Sequence, residues 1–209
     1  MIYIYKYYYE RYALFSICDL LNYKIQDFEH KDRPDLQSAE LDMGIEVVQA
    51  ITEHDGLTNR LIDLYFGKGY SGDEVVALVN KNNTKGKFKG AVYSINGIAA
   101  ISNTIGLYDA EKHRNLVIEK IGEKFRLLEN YKHYKTNGLY CFTHTSMLCE
   151  FEYPYMIDAC RKSDFSFVFI NNIDTILQWQ APSDHFIVHE IASEYLQKWK
   201  KQARNNGEY

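Results

Sequence analysis

The alternation of apolar and polar positions predicts a helix near the start of the chain and a buried strand soon after it. Between residues 5 and 22, apolar side chains recur every three to four positions, as on the buried face of an amphipathic helix. A polar segment follows, and Pro34 disfavours helix at the residue before it. Residues 44–51 are mostly β-branched or apolar, which is typical of a central strand buried on both faces.

Residues 52–110 differ from the chain on either side, and we interpret them as an insertion. They contain helical candidates at 57–66 and 71–81, with Ser71 as the expected N-cap and Glu74 at the capping-box position. The later patterns predict a helix at 110–131, a strand at 139–144, a helix at 154–162, strands at 165–171 and 175–179, and a helix at 189–204. This order predicts a single domain over residues 1–209, of the α/β class, with a central mixed β-sheet flanked by helices.

Composition and charge narrow the class of protein. Apolar residues make up 46% of the chain, enough for a packed core, and no apolar run approaches the ~18 to 20 residues that cross a bilayer. We therefore expect a soluble, cytoplasmic protein with no membrane partner.

The formal charge of −4 excludes a general polycationic coat for nucleic acid, so any contact with DNA or RNA must come from a local patch. Four widely spaced cysteines without a C-x-x-C pair predict reduced thiols.

Tyrosine is unusually frequent, with 18 residues in the chain and several among the first dozen. A stripe of aromatic side chains on the opening helix has two interpretations. It packs the helix onto the core, or it stacks on nucleobases. The sequence favours helix packing.

Glu46 stands among apolar residues on the expected central strand. A buried carboxylate is costly unless a cation or strong hydrogen bonds compensate it. Asp35 lies eleven positions earlier, across a break in the pattern, so a hairpin would bring it opposite Glu46. Two carboxylates at one place suit a hard divalent ion, Mg²⁺ or Mn²⁺.

These residues resemble the signature of the PD-(D/E)xK nuclease superfamily. In that signature Pro-Asp is followed, after ten to thirty residues, by Asp or Glu, any residue, and Lys on a central strand. The match is Pro34-Asp35, ten residues, and then Glu46 within Gly44-Ile45-Glu46-Val47-Val48-Gln49. The resemblance implies a restriction-endonuclease-like core outside residues 52–110, in which Asp35 and Glu46 hold Mg²⁺ or Mn²⁺. It also implies that an acidic residue of the opening helix, Glu10 by position, faces the same metal.

The chain departs from the signature at Val48, where the family usually carries lysine. Gln49 is polar, but a regular strand would point it to the opposite face. Members of the superfamily are known in which the third polar residue has moved to the neighbouring helix, and that helix offers Lys120 and Lys124. The catalytic candidates are therefore Asp35, Glu46, Gln49, Lys120 and Lys124.

Each candidate also has a purely structural interpretation. The two lysines would solvate their helix, and Glu10 would be a solvated residue of the first helical turn. Asp35 would form a turn after Pro34, and Glu46 would pair with Arg33. The sequence alone leaves these alternatives open.

A lysine-rich segment within the insertion is the candidate nucleic-acid contact. Lys81, Lys85, Lys87 and Lys89 alternate with polar and glycine residues, and no acidic residue lies between Glu74 and Asp109. Such a segment suits contact with phosphates, although an exposed connector would have the same composition. The expected partner is DNA or RNA. The resemblance also implies a homodimer, because many members of the superfamily act as dimers. No sequence feature marks an interface.

Three hypotheses follow from the sequence. The first is a metal-dependent nuclease that hydrolyses phosphodiester bonds. The second is a catalytically inactive protein of the same fold that binds nucleic acid or protein, which Val48 favours. The third is an unrelated α/β domain in which Glu46 is structural.

Overall fold

The structure is a computed structural model that describes residues 7–83, 88–102, 110–131, 134–143 and 148–204, without the side chain of residue 63. The helices are α1 (Tyr8–Leu21), α2 (Glu53–Tyr65), α3 (Gly72–Asn82), α4 (Ala110–Leu127), α5 (Tyr153–Arg161) and α6 (Ser193–Arg204). The strands are β1 (Glu29–His30), β2 (Leu36–Ser38), β3 (Met43–Gln49), β4 (Ala91–Ile95), β5 (Ile98–Ser102), β6 (Thr136–Phe142), β7 (Phe167–Asn171), β8 (Thr175–Gln180) and β9 (Ile187–Glu190).

The chain divides into two compact units. The first comprises Met1–Ala50 and Asp109–Tyr209, and the second comprises Ile51–Tyr108, the segment interpreted as an insertion. The first unit is built on a seven-stranded sheet in the order β1-β2-β3-β6-β7-β8-β9. The neighbours β3, β6 and β7 are parallel, and the outer pairs are antiparallel. The first unit is therefore an α/β structure with a mixed central sheet.

Helices cover both faces of this sheet. The first face packs against α1 and α6, with Ile45 and Phe142 among its strand residues. The second face packs against α4 and α5, with Leu139 and Val168 among its strand residues. Successive side chains of a strand point to opposite faces, so strands buried on both sides read as nearly continuous apolar runs. This is the reason that β3 was predicted correctly as a central strand.

The second unit is held by its own small core. Its buried side chains are Val75 and Val79 of α3 together with Phe88, and residues of the hairpin β4-β5 pack against them. The predicted capping box is confirmed, because the Ser71 hydroxyl accepts from the Glu74 N–H and the Glu74 carboxylate accepts from the Ser71 N–H. These two bonds satisfy backbone groups that the helix end leaves without partners.

Two parts of the expected secondary structure are corrected. The closing helix was predicted from residue 189, but Ile187–Glu190 forms β9 and α6 begins at Ser193. The paired strand β8 decides this, because its Gln178 side chain lies 2.8 Å from His189 Nε2 and its backbone forms the ladder. The strands β4 and β5 were not predicted, and Asn96-Gly97 joins them. Both residues have positive φ, at 52° and 77°, as the tight turn of a hairpin requires.

The cysteines and helices bear on two further expectations. All four thiols are free; Cys149 is exposed, and the others are buried. Within the described residues, no helix combines the length and the apolar character needed to cross a membrane.

Candidate functional site

Asp35 lies directly beside the strand that carries Glu46. Leu36 on β2 pairs with Ile45 on β3, so the next position of the register places Asp35 opposite Glu46. The Val47 N–H donates a hydrogen bond to Asp35 Oδ2 at 2.8 Å. The structure thus brings together the two carboxylates that the sequence separated by ten residues.

The segment that precedes Asp35 is fixed by close packing. Gln37 Nε2 donates to the Pro34 carbonyl at 2.9 Å, and the Tyr134 hydroxyl donates to Gln37 Oε1 at 2.6 Å. Gly44 leaves no room for a side chain, because a Cβ there would lie 2.6 Å from both Pro34 Cγ and Tyr134 Cδ2. Glycine at residue 44 therefore allows Pro34 and Tyr134 to close over the strand next to Asp35.

Glu46 is buried, with 6% of its surface exposed, and it has a cation as its partner. Lys124 Nζ on α4 donates to Glu46 Oε1 at 2.6 Å, and the Tyr131 hydroxyl donates to the same oxygen at 3.1 Å. The other oxygen, Oε2, is buried and has no hydrogen-bond partner among the described residues. The interpretation that Glu46 pairs with Arg33 is wrong, since the Arg33 side chain lies exposed beside Asp32, at 3.7 Å.

The electrostatic environment changes the protonation of the site. Burial, followed by the nearby charge of Glu46, raises the pKa of Asp35 to about 7, although the Val47 N–H and Lys124 favour the ionised form. Asp35 therefore exchanges a proton near neutral pH. Burial and the charge of Glu46 also raise the pKa of Tyr131, so its hydroxyl remains a hydrogen-bond donor.

The lysine beside the carboxylates comes from α4 and not from β3. Val48, at the motif position for lysine, packs with the apolar side chains under α4 and α5. Of the two candidate lysines, Lys124 reaches Glu46, whereas Lys120 pairs with Glu123 at 2.5 Å. The two lysines stand one helical turn apart, but only Lys124 contacts the carboxylates among the described residues.

The two remaining candidates, Glu10 and Gln49, lie on α1 and at the end of β3. Glu10 is half-buried in the first turn of α1, and its charge contributes to the raised pKa of Asp35. Gln49 ends β3, and strand alternation places it on the face of Val47, opposite to Glu46. The described geometry therefore gives Gln49 no place beside Glu46.

The donor set can be compared with the preferences of metal ions. In the described part of the chain, no group of three or more His, Cys, Asp or Glu side chains is arranged to hold a metal. Asp35 and Glu46 supply carboxylate oxygens, including the buried Glu46 Oε2 without a hydrogen-bond partner. Magnesium is commonly bound through one or two carboxylates and completes its shell with water and substrate phosphates. Two carboxylates fit that pattern and do not form an all-protein cage.

The lysine-rich segment is described only in part. Lys81 lies in the last turn of α3 and Lys89 follows Phe88, and both side chains are exposed. Lys85 and Lys87 lie outside the described residues. The contact of these lysines with nucleic acid stays a prediction.

Sequence reasoning missed the two tyrosines that complete the site. Tyr131 binds Glu46, and Tyr134 binds Gln37. Both follow α4 on the way to β6, more than 80 residues after the carboxylates in the chain. Their local pattern carries no signal for this role, because the contact arises only when β6 pairs with β3.

Comparison with known proteins assigns neither a family nor a function to the chain. No protein-family model, curated protein or solved structure matches the chain. The arrangement of Asp35, Glu46 and Lys124 is therefore the basis on which a function can be inferred.

Proposed function

We propose that this protein is a restriction-endonuclease-like, metal-dependent nuclease that hydrolyses phosphodiester bonds in DNA or RNA. The observation that carries the proposal is the 2.6 Å contact between Lys124 Nζ and Glu46 Oε1. Through this contact, α4 provides the lysine that the strand motif lacks, because Val48 occupies the motif position for lysine. The mixed sheet with helices on both faces, and Asp35 beside Glu46, support the same proposal.

Hydrolysis needs an activated water and stabilisation of the phosphate. Asp35 and Glu46 are the residues that would hold Mg²⁺ or Mn²⁺, and the chemistry supplied by the bound ion is activation of water and neutralisation of phosphate charge. The water oxygen forms a bond to phosphorus while the bond to the departing oxygen breaks. The water loses a proton and the departing oxygen gains one.

The remaining side chains have supporting roles in this scheme. Lys124 carries donors that orient a water molecule or a phosphate oxygen beside Glu46, and it stabilises developing negative charge. Tyr131 holds Glu46 Oε1, which leaves Oε2 available to a ligand. Asp35 becomes available to a cation when it loses its proton, near neutral pH.

A cleavage assay tests the proposal directly. Purified protein is incubated with supercoiled plasmid, single-stranded DNA and RNA, each with Mg²⁺, Mn²⁺ or EDTA. We expect metal-dependent cleavage that falls by about 10² or more in Asp35→Asn, Glu46→Gln and Lys124→Gln. Lys120→Gln, one turn away on α4, is the matched control and should cleave normally. Equal cleavage by the wild type and the Asp35→Ala/Glu46→Ala double variant would refute the proposal.

A second candidate is an inactive protein of this fold that binds nucleic acid or protein. The ion pair favours it, because Lys124 neutralises the charge of Glu46 through a contact within the protein. Calorimetric titration with Mg²⁺ separates the candidates. Heat of binding that disappears in Glu46→Ala argues against an inactive site, and the absence of heat in the wild type argues for it.

The same variants test whether Glu46 is merely structural in an unrelated α/β domain. In that case Glu46→Gln preserves or raises the melting temperature, and metal has no effect on either protein. A metal-dependent rise in melting temperature that Glu46→Gln removes would exclude this hypothesis.

A further inference from the structure

An aromatic cavity of about 260 Å³ lies in the first unit at the carboxyl ends of two parallel strands. Phe142 ends β6 and Asn171 ends β7, and both line the cavity. Helices α1 and α6 contribute the other walls. Ligands of open α/β sheets characteristically bind outside the carboxyl ends of the strands.

The walls are rings that meet edge to face. Tyr9 lies 5.1 Å from Phe142 and Tyr12 lies 5.6 Å from it, measured between ring centroids. Tyr8 is nearly perpendicular to Tyr9, at an interplanar angle of 85°. In such pairs the edge of one ring covers part of the face of another, and Phe142 and Tyr12 are accordingly buried, whereas Tyr9 is half-buried. Burial raises the pKa of Tyr12 to about 12, so its hydroxyl is neutral under physiological conditions.

The charge of the cavity is set by Lys200. This lysine of α6 lines the cavity and is half-buried, and no carboxylate partner for it exists in the described part of the chain. Lys198, two residues earlier, pairs instead with Asp19 at 2.6 Å. No acidic side chain is found among the described residues that line the cavity. The cavity therefore combines aromatic walls with one uncompensated positive charge.

The mouth of the cavity contains a strained residue. Ile173 has φ of 63°, which is unusual for a β-branched side chain, and it is 43% exposed. Its N–H donates to Asn171 Oδ1 at 3.1 Å, and Asn171 Nδ2 donates to the Tyr140 hydroxyl at 2.9 Å. A buried network thus holds an exposed aliphatic side chain in an unfavourable conformation at the rim. Such strain is concentrated at functional sites.

We propose that this cavity binds one unstacked nucleotide of a single-stranded nucleic acid, with the base against the half-buried ring of Tyr9 and a phosphate on Lys200. A flat, anionic ligand matches both the aromatic walls and the lysine that line the cavity, whose volume of about 260 Å³ is smaller than the ~300 to 1,000 Å³ typical of sites for drug-sized ligands. Aromatic stacking with lysine contacts is the usual way to bind single strands without sequence preference. The identity of the ligand rests on the proposed nuclease function, which it deepens by naming a single-stranded substrate.

Photocrosslinking locates the bound base. Full-length protein in EDTA is irradiated with single-stranded oligonucleotides that contain 5-bromodeoxyuridine or 5-bromouridine, and adducts are mapped by peptide mass spectrometry. We expect adducts on Tyr8, Tyr9 or Tyr12, with a yield about tenfold lower for Lys200→Gln and for Tyr9→Leu. Lys201→Gln, the neighbouring exposed lysine of α6, is the matched control and should retain the wild-type yield. Circular dichroism verifies that each variant is folded.

Two further comparisons complete the experiment. The first distinguishes a single strand from a duplex or a free nucleotide as the ligand, and the second distinguishes failure of this inference from failure of the proposed nuclease function. The same sequence as a duplex should crosslink less, and free 5-bromodeoxyuridine monophosphate should compete only weakly. Equal yields for Lys200→Gln and wild type, adducts elsewhere, or a preference for the free mononucleotide would overturn this inference. Cleavage without adducts on α1 refutes the cavity alone, whereas adducts on α1 without cleavage in Mg²⁺ refute the nuclease alone.

Discussion

Lys124 on α4 donates a hydrogen bond to Glu46 on β3 across 2.6 Å, although the two residues are 78 positions apart in the sequence. Their side chains are 18% and 7% exposed, so both charges are largely removed from water. A buried ion pair is not by itself evidence of stability, because desolvation offsets much of the attraction. Loss of either partner would, however, leave the charge of the other buried without compensation.

Removal of the lysine should expose this dependence. We expect Lys124→Met to lower the free energy of unfolding by about 2 to 4 kcal/mol, because it leaves the Glu46 carboxylate buried without a cation. Urea unfolding followed by circular dichroism measures the change. The double variant Glu46→Gln/Lys124→Met should recover at least half of the loss.

The matched control for this prediction is Lys120→Met, which removes a lysine of similar exposure whose partner Glu123 is 41% exposed, against 7% for Glu46. The Glu123 carboxylate keeps its contact with water when the lysine is lost, so the effect should stay within about 1 kcal/mol. A loss in Lys120→Met as large as that in Lys124→Met would contradict the assignment of a special role to Lys124.

The raised pKa of Asp35 predicts a dependence of stability on pH. At pH below about 4 the residue is protonated in both the folded and the unfolded chain. Between about pH 4 and 7 the unfolded chain loses this proton while the folded chain keeps it, so the contribution of Asp35 to stability falls as the pH rises. We expect Asp35→Asn to be more stable than wild type by about 1 to 3 kcal/mol at pH 7.5.

The comparison between the two proteins isolates Asp35 from the other titrating groups. Thermal or urea unfolding at pH 4, 5.5 and 7.5 should show a gain for Asp35→Asn that grows with pH, and asparagine keeps an oxygen to accept from Val47. A gain that is constant with pH, or that shrinks, would disprove the raised pKa.

Metal binding should depend on the same proton. If Asp35 and Glu46 hold Mg²⁺ or Mn²⁺, the cation competes with the proton of Asp35. We expect a saturating metal concentration to raise the melting temperature more at pH 8 than at pH 6, and Glu46→Gln to abolish the rise. Differential scanning fluorimetry measures this rise, with a K⁺ salt at matched ionic strength as the control. An equal rise at both pH values would show that the metal acts elsewhere.

Tyr131 provides a more local test of the support around Glu46. Its hydroxyl donates to Glu46 Oε1 at 3.1 Å. Tyr131→Phe should lower the free energy of unfolding by about 1 to 2 kcal/mol, as expected for one hydrogen bond to a charged group. Urea unfolding reports it, with Tyr155→Phe, an exposed tyrosine of α5, as the control. An unchanged free energy of unfolding in Tyr131→Phe would mean that water replaces the hydroxyl without penalty.

Gly44 tests the packing that positions Asp35. A Cβ at this residue would lie 2.6 Å from Pro34 Cγ and from Tyr134 Cδ2, so Gly44→Ala should destabilise the protein by about 1 to 3 kcal/mol. The matched control is Gly122→Ala on α4, where a Cβ meets nothing within 4 Å. There alanine should stabilise by about 0.5 to 1 kcal/mol, because glycine is the poorer helix former. Equal effects at both glycines would contradict the close approach.

The sequence by itself determined the elements whose apolar pattern is strong. It identified β3 and the length of α4 to within a few residues, the capping box at Ser71, and Asp35 and Glu46 as carboxylates that belong together. These features are local, or are set by short chain connections. The short strand β9 and the hairpin β4-β5 were not recognised, because their pairing partners decide their conformation more than their own residues do.

Only the tertiary structure decided which polar groups surround the carboxylates. The choice of Lys124 over Lys120 follows from the rotation of α4 on the sheet, and the arrival of Tyr131 at Glu46 follows from the pairing of β6 with β3. The aromatic cavity likewise forms only where α1, α6 and two strand ends converge. Local patterns record which face of an element is apolar, but they do not record which distant element covers that face.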